Sequence, residues 1–588
     1  MLRTRLLAGG LLFSALAIAG GYWIVHNHST ETFMNIASDY QAALLNAWPE
    51  TGLFEGKTDV SLDRFADYSE TGYQKWRELE NHFLARLNRI DPKTLEGTPQ
   101  WITYQQLKAS LENSIDTRVC KRELWEVSPI AGWHNMMVEL AEIQPVDTLK
   151  HRQQALKRWS QFDELSAQQL ANLKQGLEQG YTAPKPAVQR VIAQLKLMTE
   201  GNATNSPFAT MAKRANDPQF ESKMLYLIKN KINPELQKHI TFLEQEYLPN
   251  ARESIGVSAL PNGQACYRAR IKQETTLAMS PQKIHQIGLV HMKKLAQEVA
   301  KIGAARYNVE DMSIVFSRAK KDTIGEFADE QSILAYTNHA LEKVKAAAPK
   351  WFDKMPKSRG EVHPYPLHRA KTGAPGEYSP PSEDGLKPGI YYMNTYQPVK
   401  HSRIDDEATL YHELIPGHHF QIALQAEDKT QLELNKFLRN SGYCEGWGLY
   451  AERLADEMGL YEDDISRLGM LSNEAMRASR LVVDTGIHAF GWTRQQAVDY
   501  MKAHTAVDDD IIEGEVDRYI MLPGQANAYM LGKRAIESLR AEAQKQLGAD
   551  FDIREFHNQV LKHGAVTLPM LAAQIHHWLD DKKQKQKT

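Results

Sequence analysis

The sequence predicts a mainly α-helical protein, and three observations support that class. Apolar residues recur at helical spacing through residues 32–350, for example within 188–198 and 284–295. The strict alternation of apolar and polar residues that indicates half-buried strands is absent from the same region. One short aromatic segment, residues 389–395, is strand-like and lies in a Pro- and Gly-rich stretch, residues 356–398. We therefore expect helices throughout, with one small β element.

The N-terminus, residues 1–28, is typical of an export signal or membrane anchor. Arg3 and Arg5 precede an uncharged stretch, residues 6–25, that is long enough to span a bilayer. The small residues 17–19 also fit a signal cleavage site. We favour an uncleaved anchor in the inner membrane, with the body on the periplasmic or extracellular face. Secretion after cleavage is the alternative.

Composition agrees with a large folded body. The chain has 588 residues, of which 42% are hydrophobic and 24% charged, and this is ample for a sizeable core. The net charge of −3 gives no sign of nucleic-acid binding. We expect contact with a membrane only through the N-terminal segment, if it is not cleaved. The sequence does not indicate an oligomeric state.

The most informative segment is HELIPGHH, residues 412–419. Two His four residues apart on a helix, with a Glu between them, form the signature of many zinc hydrolases. Here the second position holds Pro416 instead of His. Pro416 cannot donate to the carbonyl of His412, and Gly417 weakens the helix further. The sequence therefore predicts a kink or bulge inside the motif.

Geometry favours His412 and His418 as ligands of one metal ion. On a regular helix His419 would share a face with His412 but lie about 10 Å further along, and His418 would point about 120° away. A two-residue bulge would return His418 to the position that the second His normally occupies. His419 is the reserve ligand. Glu413, beside the metal, is placed to take a proton from a water molecule.

A catalytic zinc usually has three protein ligands, so a third must come from elsewhere in the chain. Glu445 and Glu452 are seven residues apart, so they share one face of the following helix. We predict Glu445 as the third ligand and Glu452 as an acceptor that orients a ligating His. The alternative is that both line a solvated face. Cys444 is better interpreted as a small buried residue than as a thiolate ligand. His and carboxylate ligands suit Zn²⁺.

The combination of HELIPGHH with EGWGLYAE, residues 445–452, resembles the bacterial family called "domain of unknown function 885". The resemblance extends from about residue 35 to about residue 580 and is strongest over 389–540. Further matching segments are residues 389–395, 484–489, 491–493 and 523–526, with Tyr529 and Gly532. Many relatives are lipoproteins, whereas this chain has no cysteine near its N-terminus that could carry a lipid.

The resemblance implies a metallopeptidase-like protein similar in fold to the helical zinc peptidases typified by neurolysin and angiotensin-converting enzyme. We accordingly expect one helical catalytic domain over residues 32–580 with a central cleft. Its metal-site half would be residues 402–580. The resemblance also implies that Tyr529 or His488 stabilises the negative charge that develops on the substrate carbonyl.

Three further residues are candidates for substrate binding. Asn394 would add a polar contact if residues 389–395 form an exposed strand edge that pairs with an extended peptide, although a small structural hairpin is as consistent. Arg480 and Arg540 would bind a substrate carboxylate, and structural ion pairing is the alternative for both.

The function we expect is that of an exported zinc-dependent peptidase acting on short peptides. Two alternatives remain open. The same residues would serve a metal-dependent hydrolase of a non-peptide amide or ester. A non-catalytic exported binding protein would retain the metal site only as a structural element.

Overall fold

A computed structural model describes residues 28–366, 370, 376–382 and 387–587. Helices make up 73% of the structure and strands 3%, which confirms the predicted class. The predicted signal or anchor, residues 6–25, lies outside the described residues. Within the part of the chain that the structure describes, no helix combines the length and apolarity needed to cross a membrane.

The chain forms two compact units, and the first contains the described residues up to Arg252 together with Thr430–Leu438. Its core is built around Trp159, Phe162 and Phe208, whose rings pack within 6.2 Å of one another. The helices of this unit are residues 28–47, Pro49–Phe54, Glu70–Leu87, Gln100–Thr117, Trp133–Ile143, Leu149–Trp159, Phe162–Gln179, Lys185–Thr199, Thr210–Ala215, Pro218–Leu227 and Asn233–Phe242, with π-helical turns at Ile228–Ile232 and Leu243–Tyr247.

The second unit contains Glu253–Lys429 and the chain from Arg439 onward, and it holds the motif. Side-chain caps explain where several of its helices begin. Asn440 accepts a hydrogen bond from the backbone N–H of Tyr443, and Asp463 accepts one from Ser466. The helices of this unit are Gly263–Thr275, Pro281–Tyr307, Met312–Ala319, Glu330–Ala347, Asp406–Glu413, His418–Glu427, Ser441–Glu457, Asp464–Phe490, Arg494–His504, Asp509–Met521, Ala528–Leu547, Ile553–Leu561 and Leu568–Lys587.

The predicted β element is a three-stranded sheet. Strand β1 is Gly360–Pro364, β2 is Gly376–Ser379 and β3 is Gly389–Met393. Strand β3 pairs in parallel with β1 and antiparallel with β2. The strand expected within residues 389–395 is therefore confirmed, but it is the central strand. Because both of its edges are paired, it has no free edge for an extended peptide.

Candidate metal centre

The helix break predicted inside the motif is confirmed. One helix ends at Glu413, and the next begins at His418. Glycine is needed at position 417, because a Cβ there would lie 1.9 Å from the carbonyl oxygen of His412. The indole N–H of Trp447 donates to the carbonyl of Pro416 at 2.8 Å, so the break is held by a buried hydrogen bond.

The break brings His418 to His412. Their ring centroids are 4.6 Å apart and the rings are nearly perpendicular, at 89°. Glu445 lies between them, with its Oε2 atom 3.5 Å from Nε2 of His412 and 3.4 Å from Nε2 of His418. One ligand atom from each of the three side chains lies within 4.8 Å of the others. These three residues are called the ligand group below.

The spacing of the ligand group suits a tetrahedral zinc ion. Ligand atoms at about 2.1 Å from such an ion are separated by roughly 3.4 Å, which matches the two contacts of Glu445. The buried Nδ1 atom of His418 has no hydrogen-bond partner among the described residues. Nε2 of His412 and Nε2 of His418 both face the carboxylate, so two nitrogen donors and one oxygen donor converge on one point.

Charge is concentrated in the ligand group. Burial alone would lower the pKa of His412, but hydrogen bonds to Glu445 and Glu452 raise it to about 9. Burial would raise the pKa of Glu445, but the two imidazoles hold it well below its usual range. The carboxylate therefore stays ionised, and the site favours a positive charge between these three side chains.

Glu452 occupies the position predicted for an orienting acceptor. Its Oε1 atom lies 2.7 Å from Nδ1 of His412, and its side chain is buried. Because a carboxylate only accepts, Nδ1 of His412 donates its proton to Glu452, which leaves Nε2 as the nitrogen that would bind a metal after losing its own proton. Gly448, between the two glutamates, leaves room for this ring, because a Cβ there would lie 2.7 Å from Nε2 of His412.

His419 faces the sheet instead of the ligand group. Its Nε2 atom lies 3.0 Å from the carbonyl of Ser358, and its Nδ1 atom lies 2.9 Å from the hydroxyl of Tyr378. A Cβ at Gly389, the first residue of β3, would lie 2.3 Å from Nδ1 of His419. Both ring nitrogens are therefore occupied, and of the two adjacent histidines it is His418 that the structure brings to His412.

Glu413 is half-buried and follows His412 in the last turn of its helix. Tyr378, on β2, lies close enough to Glu413 for that charge to contribute to the raised pKa of the phenol, after the larger effect of burial. Tyr378 therefore stays protonated. Sequence analysis missed Tyr378, because nothing in its neighbourhood indicates that β2 reaches the motif.

Tyr529 lies beside the ligand group. Its ring centroid is 6.4 Å from that of His412, with 27° between the ring planes. Burial raises the pKa of Tyr529, and the charge of Glu445 raises it further, so the hydroxyl stays protonated and able to donate. Its helix, Ala528–Leu547, packs closely on Ser441–Glu457.

Three glycines explain the close approach of these two helices. A Cβ at Gly446 would lie 2.5 Å from backbone atoms of Gly532, and a Cβ at Gly532 would lie 1.8 Å from the carbonyl oxygen of Gly442. The two backbones therefore touch. This contact fixes the spacing between Tyr529 and Glu445.

His488 does not fit the role predicted for it. Its Nε2 atom lies 2.9 Å from the carbonyl of Tyr519, and its Nδ1 atom accepts from the backbone N–H of Val257 at 3.0 Å. The side chain is completely buried. Because both nitrogens bond the backbone, neither is left for a substrate oxygen, and Tyr529 remains the candidate for that role.

All three predicted substrate-binding residues have structural partners. The guanidinium of Arg540 makes a two-pronged ion pair with Glu457, at 3.0 and 2.6 Å. Asn394 donates to the carbonyl of Ala370 and accepts from the backbone N–H of Tyr396. Arg480 donates to the hydroxyl of Tyr519 and to Glu515, and its guanidinium carbon also lies 4.3 Å from the centroid of the Tyr529 ring.

Asp484, which sequence analysis did not single out as a site residue, has a positioning role near the ligand group. Its buried carboxylate accepts hydrogen bonds from the hydroxyl of Tyr267, the backbone N–H of Gly524 and the side chain of Asn527. Gly524 and Asn527 lie in the turn that leads into the helix of Tyr529. Asp484 therefore positions that turn. Its place in one of the segments shared with the family was the available signal.

Cys444 is not part of the ligand group. Its thiol is free, and burial raises its pKa to about 12. The residue is half-buried, and its thiol stays protonated.

A family model described as "bacterial protein of unknown function (DUF885)" matches residues 49–575. The chain belongs to the DUF885 family. No curated protein matches it. The similarity of DUF885 to neurolysin and angiotensin-converting enzyme stays a prediction.

Two solved structures resemble this DUF885 protein. One is the crystal structure of a "putative lipoprotein" from Colwellia psychrerythraea, which is 28% identical with a TM-score of 0.83, over 94% of this chain and 99% of that one. The other, from Shewanella oneidensis, has the same description with the words "of unknown function" added. It is 18% identical with a TM-score of 0.72, over 92% of this chain and 99% of that one, and it supports the fold alone.

Proposed function

We propose that this DUF885 protein is a zinc-dependent peptidase that hydrolyses short peptides. The observation that carries the proposal is the convergence of His412, His418 and Glu445 at distances that suit a tetrahedral ion, beside Glu413. Two His and one carboxylate are the ligands of a common class of catalytic zinc sites, in which a fourth position stays open.

His412, His418 and Glu445 would hold the zinc, and Glu452 would fix the orientation of the His412 ring through its 2.7 Å hydrogen bond. A bound zinc ion supplies a Lewis acid that makes water more acidic and polarises a carbonyl.

Glu413 is the general base in this proposal. Its carboxylate takes a proton from the attacking water and then delivers it to the leaving amine nitrogen. Negative charge develops on the carbonyl oxygen as water adds, and the Tyr529 hydroxyl donates a hydrogen bond to that oxygen. The raised pKa of Tyr529 keeps the donor proton in place. The restriction to short peptides rests on the resemblance to helical zinc peptidases.

We also propose that the protein is exported. The charge pattern of residues 1–28 supports this placement, and so does the lipoprotein description of the similar structure from Colwellia psychrerythraea. Residues 6–25 would anchor the body to the inner membrane if the signal is not cleaved.

Metal analysis combined with a peptide-library assay tests the proposal. We expect about one equivalent of zinc in the purified protein, and cleavage of short peptides that a chelator abolishes. Glu413→Gln should lower kcat by about 10²- to 10⁴-fold with zinc still bound, because it removes only the base. The matched control is Glu310→Gln, at an exposed position before the Met312–Ala319 helix, and it should leave both zinc content and rate unchanged.

The same assay separates the alternatives. Turnover of a non-peptide amide or ester, without peptide cleavage, would identify the other hydrolase class. No turnover of any amide or ester by the zinc-loaded protein would favour a binding protein and overturn the proposal.

A further inference from the structure

Arg480 is a buried cation with an unused hydrogen-bond donor. It lies on the Asp464–Phe490 helix, and its side chain is 5% exposed. Its Nε atom donates to the hydroxyl of Tyr519 at 2.7 Å, and its Nη2 atom donates to Glu515 at 2.6 Å. Its Nη1 atom is buried and has no hydrogen-bond partner among the residues that the structure describes. A buried guanidinium rarely leaves a nitrogen unsatisfied, so Nη1 has the capacity to bind an acceptor.

The charges around Arg480 do not balance. Arg518 donates to the same carboxylate, that of Glu515, from Nε at 3.0 Å and from Nη2 at 2.8 Å. Within the described part of the chain, Arg480 and Arg518 form ion pairs with Glu515 alone. Two cations thus share one anion. Arg480 is almost fully removed from water, whereas Arg518 is 20% exposed, so the buried Arg480 guanidinium favours one further negative charge.

The arginine pair adjoins the ligand group. The guanidinium carbon of Arg480 lies 4.3 Å from the centroid of the Tyr529 ring, and that ring is 6.4 Å from the ring of His412. The two separations place the Arg480 guanidinium within about three extended residues of His412, at roughly 3.3 Å per residue. This separation is within the span of a short peptide bound at the ligand group.

We infer that Arg480 and Arg518 form a carboxylate-binding subsite for the substrate. The planar guanidinium fork matches the two oxygens of a carboxylate. The carboxylate would lie within about three residues of the bond that is cleaved. It would come either from the C-terminus of a short peptide or from an acidic side chain. The inference deepens the proposed function, because it describes the substrate of that same site.

Binding to a variant that does not turn over its ligand tests the subsite separately from catalysis. The zinc-loaded full chain carrying Glu413→Gln would be titrated calorimetrically with N-acetyl-trialanine and with its C-terminal amide. A third probe, N-acetyl-Ala-Glu-Ala amide, carries only a side-chain carboxylate. We expect one of the two carboxylate probes to bind about 10- to 100-fold more tightly than trialanine amide, as for a charge-assisted hydrogen bond. Which probe shows the preference identifies the source of the carboxylate.

Substitutions in the same background locate the subsite. Arg480→Gln should bring the affinity for the preferred carboxylate probe close to the affinity for N-acetyl-trialanine amide, so that their ratio is near one. Because that change leaves Glu515 with one partner fewer, Arg480→Gln with Glu515→Gln provides a version in which the lost charge is matched. Arg540→Gln is the control arginine, since its partner is Glu457, and it should preserve the ratio.

The outcomes are distinct for the two proposals. Equal binding of all three probes, or an acid preference that survives Arg480→Gln, overturns the subsite. An acid preference that Arg480→Gln abolishes supports the subsite even if the wild-type protein cleaves no peptide, and that result would count against the peptidase proposal alone.

Discussion

Gly448→Ala should weaken zinc binding without unfolding the protein. The added Cβ would lie 2.7 Å from both Cε1 and Nε2 of His412. Ordinary carbon contacts are about 3.5–4.0 Å, so the imidazole would have to move by roughly 0.8 Å. Zinc sites hold their ligand distances to about 0.2 Å, and the ring is already held on its other side by Glu452. We expect zinc affinity to fall by about 10- to 100-fold, or about 1.4–2.8 kcal/mol.

Competition with a chromophoric chelator at fixed pH measures that loss, and thermal unfolding of the metal-free protein provides the stability readout. Gly514→Ala is the matched control, because Gly514 also lies inside a helix but a Cβ there meets nothing within 4 Å. It should leave zinc affinity unchanged and stabilise its helix by up to about 1 kcal/mol. A folded Gly448→Ala protein that binds zinc as tightly as the wild type would refute the assignment of His412 Nε2 as a ligand.

Further predictions concern three histidines. His418→Ala should lower zinc affinity by at least about 100-fold, since it deletes a ligand. His419→Ala should leave zinc affinity within a few-fold but cost about 1–3 kcal/mol of stability, because Tyr378 loses its partner. Chelator competition and denaturant unfolding measure the two effects in both variants. A larger loss of zinc affinity in His419→Ala than in His418→Ala would contradict the ligand choice. Burial lowers the pKa of His557 to about 3, so the folded protein leaves it neutral while the unfolded chain protonates it below pH about 6.5. The contribution of His557 to the free energy of unfolding is therefore fully present above that pH. It is lost as the pH falls, by about 1.4 kcal/mol per pH unit. Between pH 7 and pH 5, the loss in unfolding free energy should be about 2 kcal/mol smaller in His557→Gln than in the wild type; equal losses would show that His557 does not titrate this way.

Local physics accounts for what could be predicted from the sequence. The helix break follows from Pro416 and Gly417, because their backbone properties act within one turn. The shared face of Glu445 and Glu452 follows from helical periodicity alone. The choice of His418 over His419 needed only the geometry of that break.

What could not be predicted depends on contacts between residues far apart in the chain. His488 bonds Val257, 231 residues away, and no local pattern indicates that pairing. The aromatic composition of β3 indicates a strand, but its partners come from separate segments that no local pattern identifies. Arg480 and Arg540 look equivalent in the sequence, and only their surroundings distinguish them.

The contact between Gly442, Gly446 and Gly532 fixes the helices Ser441–Glu457 and Ala528–Leu547 against each other. Contacts between main-chain atoms of the two helices set the positions of Glu445 and Tyr529, and no side chain lies between the helices at these glycines. Any larger residue at these three glycines would move Glu445 away from Tyr529. A laboratory-evolution library therefore gains nothing by varying them. Arg480 and Arg518 lie on other helices, Asp464–Phe490 and Asp509–Met521, so the proposed subsite can be varied without a substitution at this glycine contact.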